Sequence, residues 1–178
     1  MDPDKYLIAA AQISLAMAGF AGVVAAFRNR SENGWGVVEL FWLRLLLFNS
    51  ILPFAFSLVG IFITVVDQSR ASWRWSSSFA ALCLVPYAVM IVKQLRAMAP
   101  GMLEAAGGGW LGSRALLGIL IAICLLQVWN AAFRSQFWPF FAAILALILG
   151  GAFQFARLVL TSHRPDPREK ADNFPKEL

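Results

Sequence analysis

Five long apolar runs constrain this chain more than any other feature. A membrane-spanning helix needs about 20 consecutive, mostly apolar residues to cross the hydrocarbon core of a bilayer. The chain has 178 residues, of which 60% are apolar and 14% are charged, and its mean hydropathy is +0.68. The sequence therefore predicts an all-α, polytopic transmembrane helix bundle that leaves too few residues for a soluble domain. The five predicted spans are residues 6–27, 45–66, 75–92, 115–133 and 137–156.

Two of these spans have alternative interpretations. The first could be a cleaved signal peptide, but Asp2 and Asp4 outnumber the single Lys5 before it, and its apolar run is longer than a signal peptide uses. The third is short and contains Pro86. If it entered and left the membrane on one side, the chain would have four spans and the C-terminus would change sides. Residues 134–136, between the last two spans, allow only a tight hairpin.

Lysines and arginines are unevenly distributed between the two ends of the spans. Eleven of the 15 lie at ends that face one side, and four face the other. Because cytoplasmic loops carry the excess of basic residues, this predicts the N-terminus outside and the C-terminus in the cytoplasm. Residues 1–162 then form the transmembrane domain, and residues 163–178, with three prolines and mixed charge, a disordered cytoplasmic tail. The net charge of +5 reflects this topology, so we expect no nucleic-acid partner.

Small residues recur at every fourth position in the first and fifth spans. Such seams let another helix backbone approach closely, and this packing drives helix association in lipid. Each seam could contact a helix of the same protomer or one of a second protomer. The seam residues are Ala10, Ser14, Ala18, Gly22 and Ala26 in the first span, and Ala142, Ala146 and Gly150 in the fifth.

Uncharged polar residues interrupt several spans. They can be structural, because a hydrogen bond between helices in a membrane is worth about 0.6 to 2 kcal/mol. The alternative is a polar path. Gln127, Asn130 and Arg134 share one face of the fourth span at spacings of three and four, and Asn49 of the second span could join them. Such a path could line a pore between protomers.

Ionisable groups are missing from the centres of the predicted spans. None has an acid or a histidine there, and His163, the single histidine, lies in the tail. We therefore predict no catalytic, cofactor-binding or metal-binding residues. Glu39 and Arg44 are boundary charges before the second span, and their spacing of five places them about 140° apart on a helix. We expect each to meet a different partner; they are the working groups if the protein is an enzyme acting on lipid.

One stretch of the sequence resembles a group of other proteins. Residues 18–28, followed by Trp35, Glu39 and residues 43–47, resemble the start of small uncharacterised bacterial multipass membrane proteins. The resemblance covers about the first third of the chain. It implies a bacterial inner-membrane location and no particular activity.

Three function hypotheses follow from these patterns. The first is a non-enzymatic protein of the lipid bilayer that acts by helix–helix association, as a homo-oligomer or as a subunit with other membrane proteins. The second is a homo-oligomeric channel or pore lined by the fourth span. The third is the lipid-acting enzyme. The two small-residue seams and the lack of a catalytic constellation favour the first.

Overall fold

The computed structural model of the protein describes residues 2–28, 37–67, 69, 71–98 and 110–161. Nearly all of these residues lie in five α-helices, and one turn of π-helix, Asn130–Arg134, continues the fourth. The helices are α1 (Pro3–Arg28), α2 (Val37–Val66), α3 (Ala71–Ala97), α4 (Trp110–Trp129) and α5 (Phe137–Thr161).

All five helices are long and apolar enough to cross a membrane. The weakest prediction, the third span, corresponds to the 27-residue α3, which contains Pro86 and extends for about 40 Å. The four-span alternative is therefore not needed, and the prediction of an all-α bundle with five potential spans is confirmed for the described residues. The segment before the second predicted span is part of the same helix, since α2 begins at Val37.

Successive helices run in opposite directions and so define two sides of the bundle. The start of α1 meets the end of α2, where the Thr64 hydroxyl donates a hydrogen bond to the Asp4 carboxylate over 3.3 Å. The start of α3 meets the start of α5, where the Trp73 and Phe137 rings have centroids 4.9 Å apart. We call this the N-terminal side of the bundle. The opposite side holds the starts of α2 and α4 and the ends of α1, α3 and α5.

Helix α2 lies at the centre of the bundle, in contact with α1, α3 and α5. Its close approach to α1 and α5 requires a glycine. A Cβ added at Gly60 would lie 2.9 Å from Cε1 of Phe140 on α5 and 3.1 Å from Cδ1 of Leu7 on α1. Both of these side chains are fully buried, so neither can move away without disturbing the core.

Much apolar surface is left uncovered by this packing. Leu82, Phe133 and Phe62 have relative exposures of 73%, 78% and 68%. A soluble monomer rarely exposes extensive apolar patches, because water disfavours them, whereas hydrocarbon does not. The exposed surface and the helix lengths together indicate a lipid bilayer as the surroundings of this bundle.

Three buried serines are satisfied within their own helices. Their hydroxyl groups donate to the backbone carbonyl four residues earlier, at 2.7 to 2.8 Å. This local bond lets a serine pack against apolar neighbours without a partner on another helix. The three residues are Ser14, Ser50 and Ser57.

A short polar link joins α2 to α3. The Ser69 hydroxyl accepts a hydrogen bond from the Ala71 N–H over 3.1 Å, which satisfies a donor at the start of α3. The Asp67 carboxylate accepts one from the Ser69 N–H over 2.9 Å. Hydrogen bonds from the Ser69 side chain and backbone lower the pKa of Asp67, because they favour the charged form. Its contribution to stability is therefore present at neutral pH and is lost as the pH falls through the lowered pKa.

Substitution of Gly60 by alanine tests the central packing. Gly60→Ala should lower the free energy of unfolding by about 1 to 3 kcal/mol, because the new methyl group overlaps a buried ring. Thermal or denaturant unfolding in a mild detergent measures this change. Gly118→Ala on α4 is the matched control, since a Cβ there would meet nothing within 4 Å. Equal stability of Gly60→Ala and the wild type would contradict the close contact.

Candidate functional site

The structure separates Asn49 from the fourth-span residues of the predicted polar path. Asn49 on α2 contacts Tyr87 of α3, whereas Asn130 at the end of the fourth span contacts Ser77 of α3. These two α3 residues are ten positions apart, which corresponds to about 15 Å along a helix. The buried polar groups therefore form two clusters at different depths.

The first cluster holds the hairpin between α4 and α5. Asn130 Nδ2 donates to the Gln136 carbonyl over 2.9 Å and to the Ser77 hydroxyl over 2.7 Å, while its Oδ1 accepts from the Gln136 N–H over 3.0 Å. Ser135 has a left-handed φ of 52°, and its N–H donates to the Asn130 carbonyl over 2.8 Å. One side chain thus satisfies both backbone groups of Gln136 and ties the turn to α3. The tight hairpin predicted from the short link is confirmed.

Gln127 lies one turn earlier on α4 and is also fully buried. Its Nε2 donates to the Pro139 carbonyl over 2.6 Å, and its Oε1 has no hydrogen-bond partner among the described residues. Arg134 is exposed instead, with its guanidinium 5.3 Å from the centre of the Trp129 ring. The three fourth-span residues of the predicted path thus lie in different environments, two of them inside the protomer.

The second cluster joins three helices through Asn49. Its Oδ1 accepts from the Tyr87 hydroxyl on α3 over 2.9 Å, and its Nδ2 donates to Gln154 Oε1 on α5 over 3.2 Å. All three side chains are buried. The cluster lies where the backbone hydrogen bonds of α2 are interrupted, because Pro53 has no N–H to donate to the Asn49 carbonyl.

The small-residue seam of α5 lies inside the protomer. A Cβ added at Gly150 would lie 3.2 Å from Asn49 Nδ2, so glycine allows α5 to approach α2 at the cluster. Ala146 packs against the hydrophobic core, and Ala142 is half-buried. This part of the seam therefore contacts helices of the same chain.

The seam of α1 is buried only in its first half. Ala10 and Ser14 are buried, Ala18 is half-buried, and Gly22 and Ala26 are exposed. A Cβ added at Gly22 would meet nothing within 4 Å. The seam therefore packs within the protomer near the N-terminal side of the bundle and is uncovered toward the opposite side.

A second face of α1, which shares only Ala26 with the seam, is exposed from one side of the bundle to the other. Gln12 lies on it, and no hydrogen bond joins the Gln12 side chain to another described residue. We call it the Gln12 face. Sequence reasoning missed it, although the alternating spacing of three and four around Gln12 was a signal that could have found it. The Gln12 face consists of Ala9, Gln12, Ala16, Gly19, Val23 and Ala26, all exposed.

A groove that is open to the exterior lies between α2, α3, α4 and α5 on the opposite side of the bundle. The Asn49 cluster lines its deep end. Trp42 lines it nearer the start of α2, and the Arg157 guanidinium lies 4.2 Å from the centre of the Trp42 ring. The walls are apolar and include Leu45, Ile91, Leu95, Leu116, Leu120, Ile123 and Leu147.

The boundary charges do not form a described pair. Arg44 is exposed on α2, and Glu39 lies in the same helix, but its side chain is outside the described residues. Among the described residues, no three His, Cys, Asp or Glu side chains lie close enough to hold a metal ion. Cys83 and Cys124 are free thiols.

No family model matches the chain, and comparisons with curated proteins and with solved structures give no match either. The resemblance of the first third to bacterial multipass membrane proteins stays a prediction.

Substitution of Asn130 tests the hairpin cluster. Asn130→Leu should destabilise the turn by about 1 to 3 kcal/mol, because it leaves the buried backbone groups of Gln136 without partners. Hydrogen exchange in detergent should become faster around residues 129–137. Ser78→Ala is the control, since Ser78 is exposed and its hydroxyl donates only to the Arg74 carbonyl. Unchanged exchange in Asn130→Leu would show that this side chain does not hold the hairpin.

Proposed function

We propose that this is a non-enzymatic integral protein of a bacterial inner membrane that acts by helix–helix association, with the Gln12 face of α1 as the contact and a second copy as the partner. The observation that carries the proposal is the exposed Gln12 amide, which has no hydrogen-bond partner among the described residues and is surrounded by small residues. The non-enzymatic character rests on the absence of acids and histidines from the predicted span centres.

The depth of Gln12 supports a partner for its side chain. It is the tenth residue of the 26-residue α1, which places it about 5 Å from the middle of the helix. That depth lies well inside a hydrocarbon core of about 30 Å. An amide left without hydrogen bonds in an apolar medium costs roughly 2 to 7 kcal/mol. A hydrogen bond from a neighbouring helix removes this cost.

The shape of the Gln12 face supports close approach of such a helix. Ala9, Ala16, Gly19 and Ala26 leave a shallow depression along α1. Ile8 and Leu15 are exposed beside it on one edge, and Ile13 and Phe20 on the other. Small residues at a helix surface let two backbones pack by van der Waals contact, which drives association in lipid. The spacing of three and four is typical of a left-handed helix pair.

A second copy satisfies the Gln12 amide most directly. Copies inserted in the same orientation present parallel α1 helices, and a two-fold axis between them brings the two Gln12 side chains together. Each amide has both a donor and an acceptor, so the two can bond to one another. Gln127 and Asn130, the pore lining of the alternative hypothesis, already bond within the protomer, which favours association over conduction.

Energy transfer between labelled copies in vesicles tests the proposed association. Gln12→Leu and Gly19→Leu should each weaken association about tenfold or more, the first by removing the interhelical hydrogen bond and the second by blocking close approach. Both variants should keep the stability of the monomer, because a Cβ at Gly19 meets nothing within 4 Å and Gln12 is exposed.

The matched control for Gly19→Leu is Gly118→Leu. Gly118 is equally open and exposed but lies on α4, so its variant should associate like the wild type. A wild type that stays monomeric in vesicles at high protein density would overturn the proposal. Association with a different polypeptide through the same face would replace the second copy by a foreign subunit and contradict the homodimer.

The proposed orientation places the N-terminus outside and the C-terminus in the cytoplasm. It is supported by the basic side chains on the opposite side of the bundle, which the positive-inside rule assigns to the cytoplasm. A reporter fused after Leu178 should be active only in its cytoplasmic form, and one fused before Met1 only in its external form. The reverse result would refute this topology. The basic residues concerned are Arg44, Lys93, Arg96, Arg114 and Arg157.

A further inference from the structure

The charges at the start of α1 lie on the same side of the helix as the Gln12 face. Lys5 is seven residues before Gln12, and seven residues are close to two full turns. Asp2 precedes the helix, and its carbonyl accepts a hydrogen bond from the Lys5 N–H over 3.2 Å. We propose that Asp2 and Lys5 continue the Gln12 face, and that in a pair of copies they form a ring of four charges between the two α1 helices. This inference rests on the association proposed above.

The side chains of Asp2 and Lys5 are exposed and already bonded to one another. Lys5 Nζ lies 2.8 Å from Asp2 Oδ2, and the two side chains keep relative exposures of 81% and 68%. The neighbouring Asp4 is used within the protomer, because its carboxylate accepts a hydrogen bond from the Thr64 hydroxyl on α2 over 3.3 Å. Opposite charges are therefore presented to the outside of the bundle by Asp2 and Lys5, whereas Asp4 is directed toward α2.

Parallel packing of two α1 helices brings these charges into alternation. In a left-handed helix pair, each side chain of the contact face packs into a hole between four side chains of the facing helix. Positions 2, 5, 9 and 12 continue the spacing of three and four that the Gln12 face shows. Asp2 of one copy then lies beside Lys5 of the second copy, and Lys5 beside Asp2. Each charge thus has an opposite charge on its own helix and another on the facing helix.

The depth of Lys5 suits a charged contact. It lies about 10 Å nearer the start of α1 than Gln12, which places it about 16 Å from the middle of the helix. That depth is the edge of a hydrocarbon core of about 30 Å, where water and headgroups solvate a charge. An exposed ion pair contributes little when it must order two long side chains, but here one pair is already formed in each copy and four charges make a network. The network favours parallel copies with their helix starts level.

Charge reversal tests the ring through mixed pairs. Energy transfer between labelled copies in vesicles at low ionic strength compares Lys5→Asp with Asp2→Lys. Each variant should self-associate about fivefold more weakly than the wild type, because like charges replace opposite charges between the helices. A mixture of the two variants brings acidic and basic side chains face to face and should associate at least as tightly as the wild type. In about 1 M salt, where the screening length is about 3 Å, this difference should shrink.

Arg74→Asp is the matched control. Arg74 is exposed near the start of α3, on the same side of the bundle, and its substitution changes the net charge by the same amount as Lys5→Asp. It should self-associate like the wild type. Mixed Lys5→Asp and Asp2→Lys copies that associate no better than each variant alone would overturn the charge ring. The Gln12 contact would still stand in that case if Gln12→Leu weakened association, whereas a monomeric wild type would overturn both.

Discussion

The close packing of α2 between α1 and α5 is the constraint on which the rest of this structure depends. In lipid there is no hydrophobic force between helices, so they stay together by van der Waals contact and by hydrogen bonds. Gly60 allows van der Waals contact near the N-terminal side, where Leu7 of α1 and Phe140 of α5 pack against it. Gly150 allows a hydrogen bond between helices, because it brings α5 close enough for Gln154 to bond to Asn49.

The two polar clusters fix the remaining helices at different depths. Asn130 ties the α4–α5 hairpin to α3 near one side, and Asn49 ties α2 to α3 and α5 nearer the other. Each bond is worth only about 0.6 to 2 kcal/mol in a membrane, so the clusters determine position more than total stability. With α4 held at the hairpin, its other half forms a wall of the groove. Of the polar residues that suggested a pore in the sequence, Asn49 therefore lines an apolar groove inside the protomer.

The proposed function is based on a surface that this packing leaves uncovered. The Gln12 face is a face of α1 that the bundle leaves uncovered, and it holds a polar group in a place where lipid offers no partner. The groove is bounded by four helices, and the Trp42 indole that lines it has no hydrogen-bond partner among the described residues.

Apolar run length and turn length by themselves determined the five helices and the hairpin, because both are local properties of the chain. The sequence also identified the polar residues of the spans and the small residues of α1 and α5. Only the tertiary structure decided which of these meet, since Asn49 finds its partners 38 and 105 positions away. It likewise decided that Ser14 is buried while Gly22 is exposed, and that Gln12 lies outside. The physical reason is that nearly every residue of an apolar helix can face either lipid or another helix, and close packing makes the choice.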